Sequence, residues 1–178
     1  MMPAYPSNNH HKLERPGARR RAREFCVALL YAADLGGSPD QALLHSNEVL
    51  AALLESWEFS PEEALKLGPA VGRFGRELYE EFFRHREEID QRIGALSQGW
   101  PLDRMPVVDR NILRMALTEL LYLPEIPVGA SIDEAVDLAK EYGTAESGRF
   151  VNGILGTVAR ELQATGARGG TQEADRPA

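Results

Sequence analysis

The chain has 178 residues, of which 43% are hydrophobic and 26% charged, with a net charge of −7. That length supports one domain with a sizeable core. A single cysteine excludes an intrachain disulfide and fits a reducing cytosol. No apolar run approaches the roughly 20 residues of a membrane span, and no apolar signal-peptide core is visible at the start.

The charge is unevenly placed. Residues 1–24 hold six cations, Lys12, Arg15, Arg19, Arg20, Arg21 and Arg23, against Glu14 and Glu24, so an excess of +4 at the start leaves −11 on the remainder. An acidic body with a basic arm confines nucleic-acid contact to one end and suits a basic protein partner.

Residues 1–17, with Pro3, Pro6, Pro16 and Asn8-Asn9, show no periodicity and read as a flexible tail. His10-His11 has no cysteine or spaced ligand nearby and reads as no metal site. From Arg19 the cation cluster passes directly into an apolar helical stripe, Phe25, Leu29 and Ala32, with Cys26, Leu30 and Ala33 beside it, until Gly36-Gly37. Arginines at a helix start oppose the macrodipole, so either they serve a phosphate-rich ligand or they form an idle solvated start.

Ser38-Pro39-Asp40 opens a second helix that runs to Trp57. Ser60 and Glu63 form a capping box, and Gly68-Pro69 then interrupts that helix at once. A longer helix follows with Val71, Phe74, Leu78, Tyr79 and Phe82, continued by Ile89, Ile93 and Leu96. Its acids, Glu80, Glu81, Glu87, Glu88 and Asp90, alternate with Arg84, Arg86 and Arg92, which reads as surface ion pairing. His85 falls on the same exposed face.

The segment after Met105-Pro106 is the most apolar and is expected at the centre of the core, with Arg110 and Arg114 pairing with Asp109 or a neighbouring acid. Leu123-Pro124-Glu125-Ile126-Pro127 connects it to a helix carrying Ile132, Ala135, Val136 and Ala139, whose acids Asp133, Glu134, Asp137 and Glu141 face outward. A last helix carries Val151, Ile154, Leu155, Val158 and Leu162. Phe150 lies one position off that stripe, so a surface edge and a core position both stay open for it. Residues 164–178 read as a second flexible tail.

The expectation is an all-α fold of about seven helices, with no strand. Enzyme signatures are missing: no strand precedes a glycine-rich phosphate loop, no histidine has metal-ligand spacing, and Cys26 sits inside an apolar stripe where thiols are inert. The reading is a binding module with no cofactor and no catalytic residue.

Several stretches together resemble the NusB family of bacterial transcription antitermination factors. They are Arg19-Arg20 with Ala22-Arg23 leading to Leu30-Tyr31; Trp100-Pro101-Leu102-Asp103-Arg104 followed by Val108-Asp109-Arg110-Asn111-Ile112-Leu113-Arg114 and Glu119; Ile126-Pro127 leading into Ile132-Asp133-Glu134-Ala135-Val136-Asp137-Leu138-Ala139-Lys140; and Phe150-Val151-Asn152-Gly153-Ile154-Leu155. They cover residues 18–163, which the resemblance makes one RNA-binding domain of two packed helical subdomains.

The resemblance implies binding to boxA RNA of nascent ribosomal RNA transcripts, together with NusE, a small-subunit ribosomal protein, in the antitermination complex on RNA polymerase. It implies a cytoplasmic protein and leaves a homodimer open. Arg19, Arg20, Arg21 and Arg23 would face RNA, Tyr31 and Phe150 would stack on bases, and Asn152 would supply polar contacts. Arginine on phosphate and aromatics on splayed bases are how single-stranded RNA is held. The acidic middle helices are the candidate NusE surface.

One departure is Ala28, where the family often carries Gln. Two other readings stay open. NusB-like domains also precede some ribosomal RNA cytosine methyltransferases, and a pure protein–protein module would leave the arginines idle.

Overall fold

The computed structural model describes residues 17–167. Nearly all of both expected tails, and the His10-His11 pair, lie outside the described residues. The described residues form eight α-helices and one 3₁₀ turn, with no strand. These are α1 (Ala18–Leu35), α2 (Pro39–Leu44), α3 (Ser46–Ser56), α4 (Pro61–Arg84), α5 (Arg86–Leu96), the turn Leu102–Arg104, α6 (Val107–Tyr122), α7 (Val128–Tyr142) and α8 (Ser147–Ala164).

The core is built around α6. Every residue from Asp109 to Leu120 is buried, and α6 touches α1, α4, α5, α7 and α8. A helix buried on all sides needs apolar residues around its whole circumference, which Ile112, Leu113, Met115, Ala116, Leu117 and Leu120 supply. On one side α1 packs chiefly on α4, and on the other α7 packs chiefly on α8. The two helical groups thus share α6.

Three helix boundaries differ from the sequence expectation. The second helix breaks at His45 into α2 and α3. His45, Ser46 and Asn47 are weak helix formers in a row, and Arg76 from α4 anchors the break by donating to Ser46 Oγ and Asn47 Oδ1. By contrast, α4 runs straight through Gly68-Pro69. An interior proline costs about 3 kcal/mol. Gly68, however, has no Cβ to meet the proline ring, and it is buried with room only for contact with Leu54. Packing therefore overrides the local break, while the capping box of Ser60 and Glu63 forms as expected.

The third difference is at His85, where α4 gives way to α5. Its ring is no exposed bystander: it stacks on Tyr122 at 3.6 Å with Nε2 3.1 Å from Glu81. The join between α4 and α5 is thereby pinned to the end of α6.

The two arginines of α6 inside the body are paired with acids. Arg110 donates to Asp34 at 2.8 Å and to the Leu102 carbonyl, while Arg114 donates to both oxygens of Asp90 and reaches Asp34 at 3.3 Å. Both arginines are structural, but their partners are Asp34 and Asp90 rather than Asp109. Cys26 is fully buried, and burial pushes its thiol well above the ordinary range, with Glu119 adding to the shift.

The tightest helix contact is between α1 and α4 at Gly75. A Cβ there would lie 2.9 Å from the Ala22 carbonyl oxygen and closer still to the Phe25 ring. Alanine gains about 1 kcal/mol of helix propensity over glycine, but forcing a methyl into packed backbone costs about 1–3 kcal/mol. Gly75→Ala is therefore expected to lower unfolding free energy in urea titration, whereas Gly94→Ala, on a surface with nothing near it, raises it.

Candidate nucleic-acid interface

The four arginines of α1 meet four different environments. Arg19 is exposed, lies 4.0 Å above the Phe74 ring, and has no ion-pair partner among the described residues. Arg20 is ringed by Glu24, Glu134, Asp137 and Glu141. Arg21 bonds Glu24 at 2.7 Å and stacks on Trp57 at 4.7 Å. Arg23 is only 5% exposed and grips fully buried Glu119 through both Nε and Nη2, at 2.6 and 3.1 Å.

The resemblance has Arg23 facing RNA; in the structure it is buried and paired with Glu119. With Nε and Nη2 on one carboxylate and only 5% of the residue exposed, the guanidinium is turned away from the solvent through which a phosphate approaches. This pairing also answers the macrodipole objection in part. The first turn of α1 carries no acid of its own, yet carboxylates from α6 and α7 supply the missing negative charge.

Glu24 ties this end together. It accepts from Arg20 and Arg21 and from the Tyr142 hydroxyl at 3.2 Å. Burial nonetheless raises its carboxyl pKa, the pull of Arg21 and Arg20 offsetting only part of the desolvation.

Helical periodicity gives α1 a second relevant face. Arg20, Glu24, Val27 and Tyr31 recur at i, i+4, i+7 and i+11 and so share one side. That side meets α7, through Arg20 with Glu134 and Glu141 and through Glu24 with Tyr142. Tyr31 is half-buried there. Ala28 is 8% exposed, close under the same side, and it offers no hydrogen bond where the family pattern has Gln.

The second half of the candidate surface is the start of α8. Gly143 and Thr144 turn the chain there. A Cβ on Gly143 would strike the Ser147 side chain and the Ala139 carbonyl, so glycine is required at this close approach. Thr144 N–H donates to Ser147 Oγ at 2.9 Å. Ser147 also hydrogen-bonds Asp109, tying the corner to the start of α6. Beyond it Phe150 is half-buried, packed on Trp100 with centroids 5.1 Å apart, and Asn152 is exposed. The edge position for Phe150 is the one adopted.

These pieces do not converge on a point. α1 and α6 run antiparallel, with Arg23 opposite Glu119 and Asp34 opposite Arg110. Tyr31 and the Ser147–Asn152 corner therefore sit toward the start of α6, and the arginines toward its end. From Arg20 to Tyr31 the helix rises about 16 Å, the length of about five stacked nucleotides at 3.4 Å each.

Sequence reasoning missed Trp100 as a partner of Phe150 and missed exposed Arg104 and Arg149 near that corner. It placed the α7 acids outward without seeing that they close over Arg20.

The fold is that of a small all-α domain that gathers arginines, mostly held by acids, at one end of α1 and aromatic side chains toward the other. The model of the NusB family matches residues 20–160, and the chain belongs to that family. It is 43% identical over 158 residues to the transcription antitermination protein NusB of Heliobacterium modesticaldum, an alignment covering 88% of this chain and 69% of that protein. It is also 43% identical to the Myxococcus xanthus protein of the same name, over 82% of this chain and 97% of that one. Among solved structures, one of antitermination factors NusB and NusE in complex with double-stranded RNA matches with a TM-score of 0.61 at 28% identity, covering 81% of this chain and 97% of the other.

Two tests follow from the geometry. Arg23→Ala removes the guanidinium that offsets the charge of buried Glu119, so it is expected to lower stability by about 3–5 kcal/mol in urea unfolding, whereas Arg19→Ala stays within about 0.5 kcal/mol.

Asp109 is 2% exposed, its Oδ1 has no partner, and burial raises its pKa against the opposing Ser147 hydrogen bond. A folded pKa above the unfolded one means that the native state holds its proton longer. Its contribution is complete below the ordinary aspartate range and is lost as pH climbs through the raised value. Asp109→Asn is expected to flatten that part of the stability-versus-pH curve.

Proposed function

We propose that the chain is a transcription antitermination factor that binds boxA RNA of nascent ribosomal RNA transcripts jointly with NusE. Its likeness to the solved NusB–NusE–RNA assembly carries this reading. The chain's own side chains support it: exposed Arg19 at the start of α1 over Phe74, and Tyr31, Phe150, Trp100 and Asn152 toward the start of α6.

Arg19 offers its guanidinium to a phosphate while stacked on Phe74. Tyr31 and Phe150 offer ring faces to unstacked bases, and Asn152 an amide to a base edge. Arg20 and Arg21 supply further guanidinium groups at the same end of α1, which carboxylates hold in the free chain, and Arg23 serves by fixing the rotation of α1. The acidic face of α4 and α5 is the proposed seat for basic NusE, by charge complementarity. The protein works as a non-catalytic adaptor in a cytoplasmic antitermination complex on RNA polymerase.

Fluorescence anisotropy with labelled boxA RNA, with and without NusE, tests this. Binding is expected to be tighter with NusE present. Arg19→Ala and Phe150→Ala should each weaken it, with Arg19→Ala also making the log–log salt slope shallower by about 0.7 for one lost single-strand phosphate contact. Equal affinity with and without NusE would reject joint binding.

A further inference from the structure

Arg20 is held from outside by α7. Its guanidinium lies 2.9 Å from Glu141, 3.1 Å from Glu134, 3.5 Å from Glu24 and 4.0 Å from Asp137. Glu134, Asp137 and Glu141 recur at i, i+3 and i+7 and form one ridge along α7. Their side chains are 31%, 61% and 51% exposed, against 14% for Arg20. Seen from solvent, the carboxylates stand over the guanidinium. An approaching phosphate meets the three exposed carboxylates of Glu134, Asp137 and Glu141 before it reaches an N–H of Arg20.

Carboxylate and phosphate oxygens use the same donors of the guanidinium fork. Occupancy by one excludes the other. The ridge is also separable from the fold. Buried Ser131, Ala135, Leu138 and Ala139 seat α7, with Ser131 Oγ donating to Glu119 at 2.5 Å.

We propose that the ridge Glu134–Asp137–Glu141 is an internal competitor for RNA phosphate at Arg20 and acts as a specificity determinant. The inference rests on the RNA-binding reading above. In the free chain the ridge carboxylates occupy Arg20, and RNA gains that contact only by displacing them. A strand that also engages Tyr31 and the Phe150–Asn152 corner offsets the displacement. A strand offering phosphates alone does not, so the ridge discriminates against unspecific RNA.

The test uses four chains: the protein itself, Glu134→Gln/Glu141→Gln, Arg20→Ala, and all three substitutions together. Each is titrated with boxA RNA and with a scrambled single strand of equal length. The paired Gln substitution is expected to tighten both by about fivefold or more, and the scrambled strand by the larger factor, so the ratio of the two affinities falls. Its salt slope should steepen by about 0.7, since displaced carboxylates no longer recapture cations. In the Arg20→Ala background the gain should collapse.

Unchanged affinity in the Gln variant overturns the proposal, and so does a gain undiminished without Arg20, which would mark a long-range field effect. If the unsubstituted chain and all variants fail to bind either strand at low salt, the RNA reading itself falls, and the ridge proposal with it. Circular dichroism melts check that α7 stays folded. Glu134→Gln alone carries the same comparison if the paired variant does not fold.

Discussion

A buried guanidinium facing a buried carboxylate cannot stay unpaired, and that requirement at Arg23 and Glu119 sets the geometry of the rest. Breaking such a pair strands a charge away from water, so the two residues fix α1 against α6. Ser131 of α7 donates to the same carboxylate, which brings a third helix into register. With Arg23 turned inward, helical periodicity leaves Arg20, Glu24, Val27 and Tyr31 facing α7, and Arg19 outside over Phe74. At the far end of α1, Arg110 and Arg114 converge on Asp34. Two charged clamps thus prevent the helix from rolling about its axis, which apolar packing alone permits more readily because it is non-directional.

The same pairing limits what the basic arm can do. A net charge of −7 repels polyanions at long range, and three of the four α1 arginines in the described residues are bound to acids. Affinity for RNA must then come from short-range contacts more than from a general positive field. Stacking suits this role because it is sequence-tolerant, nearly independent of salt, and available from Tyr31, Phe150 and Trp100. It also makes a basic partner at the acidic helices useful, since such a partner would offset part of the body's charge.

Much of the fold was legible because it rests on period and composition. The unbroken burial of α6 followed from its apolar circumference, and the Ser60–Glu63 cap from its spacing. The misplaced boundaries are those where distant groups decide: Arg76 reaching into the break at Ser46, and Leu54 packing over Gly68 so that Pro69 is carried inside a helix. The site was legible as residue types and not as environments. Arg19 and Arg23 stand four positions apart with similar neighbours in sequence, yet one is exposed and the other is only 5% so. What separates them is Glu119, 96 positions away, and no local pattern carries that distance. The α7 acids are the same case, since outward-facing periodicity says nothing about which helix lies opposite.

The carboxylates around Arg20 serve two opposed ends. A long arginine side chain left free in solvent loses rotamer entropy of up to about 2 kcal/mol when a ligand immobilises it. Holding it against Glu24, Glu134 and Glu141 spends part of that entropy during folding and keeps the guanidinium near the α1–α7 groove. The same acids must be displaced before a phosphate can bind. Because the ridge is solvent-exposed, each pair is worth little and salt screens it, so displacement is within reach of a ligand with several other contacts. Buried Arg23 lies on the other side of that divide. Its pair is too far from water to open, so it sets where the face points while Arg20 sets how readily the face accepts a charge.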